Sequence, residues 1–113
     1  MNLLIHEHVI RTITVEPKGR VDAFTSPKLR HELRGLQAEG VNRFIIDLSD
    51  TDFLDSAGMA VLVSVLKSSR KTGGDVKLVW PKQEAAKRII SLTKFDRVFE
   101  MANSAKIALK AFK

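Results

Sequence analysis

Apolar residues recur along the chain with two different periods, and the switches between them lay out the elements. Residues 3–7 (LLIHE) and 9–15 (VIRTITV) read as two strands, with alternation clearest in Val9, Arg11, Ile13 and Val15. Pro17 and Gly19 interrupt the pattern, which points to an edge strand or a bulge before RVDAF. The period then changes to that of a helix over residues 25–40. Thr25 or Ser26 can cap it, Pro27 suits its first turn, Leu29, Leu33 and Leu36 form the apolar stripe, and Gly40 closes it. Residues 43–48 (RFIIDL) are almost wholly apolar, as expected of a strand covered on both faces.

A second helix runs from the segment DSAG, residues 55–58, to Gly73-Gly74, and DVKLVW (75–80) follows as a strand. Pro81 is expected to open a third helix holding Ala85, Ile89, Ile90 and Leu92. RVFEM (97–101) reads as a last short strand and residues 102–112 as a last helix. Strands alternating with helices predict parallel pairing with right-handed crossovers, and the first two strands could add an antiparallel edge. The expectation is one α/β domain spanning residues 1–113.

Composition narrows the function classes. The chain has 113 residues, of which 44% are hydrophobic and 28% charged, so it can bury one core and is not a disordered tail. No apolar run is long enough to span a bilayer, and the N-terminus lacks the features of a secretory signal. The expected location is therefore cytoplasmic, away from any membrane. The absence of cysteine removes disulfides, thiol nucleophiles and cysteine-based zinc sites. The net charge of +6 is uneven. Residues 1–66 carry seven Lys and Arg against nine Asp and Glu, whereas residues 67–113 carry 12 against four. The basic residues are scattered singly and no aromatics are interleaved with them, so direct nucleic-acid binding is not expected. They read as a solvated face, with an acidic protein partner as the alternative.

Catalytic and metal signatures are weak. His6 and His8 share one face of a strand, but no third ligand is recognisable, and His31 falls on the exposed side of the first helix. DSAG is not G-x-S-x-G, no histidine follows Ser56, and the phosphate-cradling glycine patterns are missing. Asp47 ends a strand where a phosphorylated aspartate could sit. That chemistry needs an acidic pair after the first strand, and HEHVI supplies one acid, so Asp47 is expected to bond loop backbone instead.

DSAG allows two readings. Asp55 or Ser56 can simply be the helix N-cap. Alternatively, Ala57 and Gly58 leave the Ser56 hydroxyl sterically open, and Met59, Ala60 and Val63 fall on the same helix face, forming an apolar docking patch with a modifiable serine at its rim.

The segments GRVDAFTSPKLRHEL, FIIDLSDTDFLDSAGMAVLVSVLKSSRKTGGDVKLV and AAKRIISLTKFDRVF, together with the order of elements, resemble the anti-sigma factor antagonists, bacterial proteins built as a single STAS domain. The resemblance implies a mixed, mostly parallel central sheet of four to five strands with about four helices. It further implies phosphorylation of Ser56 by a partner that is both anti-sigma factor and serine kinase, a phosphatase that reverses it, and control of sigma-factor-dependent transcription without catalysis or cofactor. Asp22, Thr25, Asp55, Ser56, Ala57, Gly58, Met59 and Val63 are the expected partner-binding residues. STAS domains also serve as accessory subunits of lipid transport complexes and in stress-signalling scaffolds, which is the alternative role.

Overall fold

The computed structural model describes residues 1–7 and 9–112. In chain order the elements are β1 (Thr12–Val15), β2 (Gly19–Val21), α1 (Ser26–Ala38), β3 (Arg43–Asp47), β4 (Thr51–Leu54), α2 (Ser56–Lys71), β5 (Asp75–Val79), α3 (Glu84–Leu92), a 3-10 turn (Phe95–Arg97), β6 (Glu100–Ala102) and α4 (Ala105–Ala111). Four strands form a sheet in the order β1-β3-β5-β6, and β2 and β4 form a separate pair. Every one of these ladders is parallel. The α/β class, the four helices and the parallel sheet agree with expectation.

Alternation along the strands divides the core. Phe44, Ile46, Val76 and Leu78 face the side covered by α1, α2 and α3, where Leu33, Leu62, Val65, Leu66 and Ile90 complete the main cluster. Ile45 and Val79 face the other side, covered by α4 through Ala105, Ala108 and Phe112. Lys77 is buried on that second side, with its ammonium paired to Glu100 and 4.6 Å from the centre of the Phe112 ring. Such a charge tolerates burial because it is paired and lies against an aromatic face. The second helix ends where the sequence places it. A Cβ on Gly74 would lie 1.8 Å from the Asn42 carbonyl oxygen, so only glycine lets the chain pass into β5 beside Asn42.

Several local expectations are corrected. Residues 3–7 and 9–11 form no strand, and the anticipated antiparallel edge is not made by the described residues. No Gly, Asn, Asp or Pro lies between residues 3 and 15, so nothing supplies the backbone of a tight hairpin. The proposed pair His6 and His8 cannot be placed, because His8 lies outside the described residues; His6 is exposed. Pro81 does not open α3. It is buried in a loop whose next amide, Lys82 N–H, donates to the Ser49 carbonyl at 3.3 Å, and the helix starts only at Glu84. The last strand begins at Glu100, after the 3-10 turn that occupies Phe95–Arg97. Strand β4 is an unforeseen element. Among the described residues no helix is long and apolar enough to cross a membrane.

Candidate functional site

Strands β2 and β4 end level with each other, Val21 opposite Leu54. The loop after each strand therefore emerges beside the other, and both lead into helices. The Asp55 amide donates to the Val21 carbonyl at 3.2 Å, which continues the pairing by one step. This juxtaposition brings Asp22 and Thr25 next to the start of α2.

Asp55 joins the two loops. Its backbone is extended, and its Oδ1 accepts from the amides of Ala57 at 2.9 Å and Gly58 at 3.1 Å, two of the donors a helix start leaves unpaired. Its Oδ2 accepts from the Ala23 amide at 3.1 Å, in the other loop. Asp55 is thus the cap, and the choice left open between Asp55 and Ser56 is resolved.

Asp22 and Thr25 build the neighbouring turn. Asp22 Oδ1 accepts from the amides of Phe24 at 3.0 Å and Thr25 at 3.1 Å, and Oδ2 accepts from Arg20 Nε at 3.1 Å. These bonds, the Thr25 amide foremost and then the Arg20 guanidinium, hold the Asp22 carboxyl below its ordinary range. The Thr25 hydroxyl accepts from the Asp22 amide at 2.9 Å and donates to the Arg20 carbonyl at 2.8 Å. Arg20 is itself placed over the Phe53 ring, 4.0 Å from its centre. Thr25 therefore makes no side-chain cap on α1, contrary to one of the sequence readings, because its hydroxyl is committed to the turn.

Ser56 is the first residue of α2 and is exposed. Among the described residues its hydroxyl has no hydrogen-bond partner. The residues behind it differ from expectation in one respect. Gly58 does not open the hydroxyl to approach; it is buried, and a Cβ there would lie 2.6 Å from Val21 Cγ1 and 2.7 Å from the Val21 carbonyl oxygen. Its bare Cα lets α2 sit directly on the end of β2, while Ala57 is half-buried. Met59 is also displaced from its expected role as an exposed patch residue. It is 6% exposed and belongs to the main core cluster, and Val63 is half-buried against the same cluster. The face borders a shallow, open depression lined by Ser56, Met59, Ala60 and Val63 of α2 and by Thr93 and Phe95, which follow α3.

Two features were missed. Phe24 stands 93% exposed at the tip of the Asp22–Thr25 turn, beside the Ser56 helix start. An aromatic held between a turn-forming Asp and the Pro of a helix start belongs to neither stripe, and that was the available signal. Phe95 on this face is a long-range contribution that no local pattern shows. Asp47, by contrast, accepts from the Ser49 amide at 3.0 Å, the loop bond expected of it.

Residues 2–108 match the model of the STAS domain family. An anti-sigma-B factor antagonist of Bacillus subtilis is 34% identical over 80 residues, covering 71% of this chain and 69% of that protein. Relatives from Thermotoga maritima and Thermotoga neapolitana are 35% identical over 72 residues, and the match spans 64% of this chain and 63% of their length. Among solved structures, an anti-sigma factor antagonist from Mycobacterium paratuberculosis superposes with a TM-score of 0.79 at 29% identity, over 96% of this chain and 90% of that one. The chain belongs to the STAS domain family, among its anti-sigma factor antagonists.

Proposed function

We propose that this protein is a partner-switching regulator. It binds an anti-sigma factor with serine kinase activity through the Asp22–Thr25 turn and the start of α2, phosphorylation of Ser56 releases that partner, and a phosphatase resets the switch. One observation carries the reading: Asp55 performs the whole capping task, so the Ser56 hydroxyl is exposed and without a bond among the described residues. A serine with no structural duty at a helix start is a hydroxyl left for chemistry. The exposed Ala60 and half-buried Val63 beside it offer apolar contact, and Phe24 adds an exposed aromatic of the kind that anchors interfaces.

The energetics favour a switch that leaves the fold intact. A phosphate adds about −1.5 to −2 charges at neutral pH. Its repulsion with the Asp55 carboxylate is of order 2 kcal/mol across a partly screened path, and the positive end of α2 offsets about 0.3–1 kcal/mol of that. A partner pressed against the same surface meets a larger penalty, because the phosphate would lose its hydration inside the interface. The kinase and its ATP belong to the partner; this chain contributes the acceptor hydroxyl.

The test is titration of wild type, Ser56→Ala and Ser56→Glu against the purified anti-sigma kinase, with ADP and with ATP. Wild type binds in ADP and is released as ATP is consumed. Ser56→Ala stays bound in both, and Ser56→Glu binds at least about 10-fold more weakly, a loss near 1.4 kcal/mol. Equal affinity of all three in both nucleotides would sink the proposal, and recovery of a transporter complex in place of a kinase would establish the accessory-subunit role.

A further inference from the structure

The positive charge of the second half of the chain has a place on the Ser56 face. The exposed side of α2 runs from Ser56 through Ala60 and Val63 to Lys67, at spacings that keep all four on one stripe about 16 Å long. Lys67 lines the same depression as Ser56, together with Thr93 and Phe95. Lys94 stands between those two residues, and Arg97 ends the 3-10 turn that follows. That turn is tied to α2, because the Arg70 guanidinium donates to the Val98 carbonyl at 3.3 Å, about one helical turn beyond Lys67. Arg70 already pairs with Asp75 at 3.0 Å, whereas Lys67, Lys94 and Arg97 form no ion pair among the described residues. Asp96 is the one acid of the turn. The other end of the stripe carries Asp55, with Asp22 beside it. The face is therefore negative at Ser56 and positive at Lys67.

Lys94 is the sharper signal. Its φ of 60° lies in the left-handed region, where it is the only non-glycine residue among those described. Helices commonly end on such a residue, but glycine adopts the conformation without steric cost and lysine does not. A strained backbone beneath a charged, unpaired side chain points to a use for the charge.

We propose that the Lys67–Lys94 end of the depression is the docking site for an acidic amphipathic segment of the partner. Its apolar residues would lie on Ala60, Val63 and Phe95, and its carboxylates would meet Lys67 and Lys94. The inference rests on the partner-switching reading above and adds the chemistry of the partner, which must be acidic here and cationic where it meets Asp22 and Asp55. Opposite charges at the two ends fix the one orientation in which that partner can lie. A lipid surface or another polyanion would use the charge alone; an amphipathic segment uses the apolar stripe between the ends as well.

Titration of the purified anti-sigma kinase in ADP with full-length wild type, Lys67→Glu and Lys94→Gly tests it, with thermal unfolding of each run in parallel. Lys67→Glu should weaken binding at least about 10-fold at low salt, and the deficit should shrink as sodium chloride screens the contact. Lys94→Gly should raise the thermal midpoint, because it relieves the left-handed backbone, and yet bind about threefold more weakly. A purely structural residue would not move those two readouts in opposite directions. Lys106→Glu makes the same change of net charge on α4, across the sheet, and should bind as wild type does. Failure of wild type to bind would overturn both this inference and the reading beneath it. Binding by wild type with Lys67→Glu and Lys94→Gly undiminished, or with Lys106→Glu as weak as Lys67→Glu, would overturn this inference alone. So would a Lys67→Glu variant that keeps its kinase affinity but loses retention on vesicles of phosphatidylserine and phosphatidylcholine, which would assign the cluster to a membrane.

Discussion

The two helix starts that meet at the site carry similar side chains and use them in opposite ways. Before α1, the side chains of Asp22 and Thr25 are both occupied. The carboxylate and hydroxyl close the turn on its own backbone, and Ser26 is buried with its amide bonded to the Asp22 carbonyl at 2.8 Å. The next residue is Pro27, which has no N–H to satisfy, so α1 begins without a side-chain cap. Before α2, a single residue, Asp55, does everything, including bonding the Ala23 amide of the other loop. Ser56 is left over. A hydroxyl at a helix start becomes available to chemistry only when another group has taken the cap, and this molecule shows both the committed and the spare case side by side.

The contrast can be broken most severely at the contact that brings the two starts together. Gly58→Ala drives a Cβ into Val21, whose backbone carbonyl cannot move without disturbing β2, so it should cost about 1–3 kcal/mol, read as a lower thermal midpoint. Asp55→Ala comes next. It strips the amides of Ala57 and Gly58 of their cap and the Ala23 amide of its acceptor, for about 1–2 kcal/mol in denaturant unfolding. Amide exchange at Ala23 and Phe24 should accelerate in that variant, because the loop loses its tie. Protection unchanged at both positions would mean that the two helix starts are not coupled through Asp55.

The periods of the chain revealed β3, β5, α1 and α2 because each carries its own pattern over enough residues to be read. Strand β4 escaped because its four residues make sense only against β2, a partner some 30 positions away. The site was half legible for the same reason. Thr25, Asp55 and Ser56 are local cap chemistry and stood out as residues, whereas Asp22 came only with the family resemblance. Met59 looked exposed because helix periodicity places it on the Ser56 face, but Thr93 and Phe95, which follow α3, border that face and Met59 packs into the core. Gly58 was read as making room for a partner, whereas the room is filled by Val21. In each case the local pattern identified the residue and a distant element decided its surroundings.

A smaller effect is expected at Asp22. The Asp22 carboxyl lies below its ordinary value of 3.8 because the Thr25 amide and then Arg20 stabilise its charged form. A depressed folded-state value means that this contribution is fully present above the unfolded-state range and is lost as pH falls through the lowered value. The stability gap between wild type and Asp22→Asn should therefore be constant from pH 7 to about pH 5 and close toward pH 3. A gap that persists unchanged at pH 3 would place the effect in the shape of the turn and not in its charge.

The smallest stability effect is expected at Ser56, and its smallness is the informative result. A serine that caps a helix loses about 1 kcal/mol on replacement by alanine. Ser56 sits one residue past the cap, its hydroxyl has no partner among the described residues, and alanine has the better helix propensity. Ser56→Ala should thus change unfolding free energy by no more than about 0.5 kcal/mol, with either sign allowed. Thr25→Ala is the matched control from the other helix start, since it removes two bonded contacts and should cost more. Both variants need only urea titrations at one pH, run beside wild type. If Ser56→Ala proves as costly as Thr25→Ala, the hydroxyl has a structural task in solution, and the two helix starts are alike after all. If it is neutral while Thr25→Ala is not, the serine is spare, and the difference between the helix starts lies in what each leaves free to react.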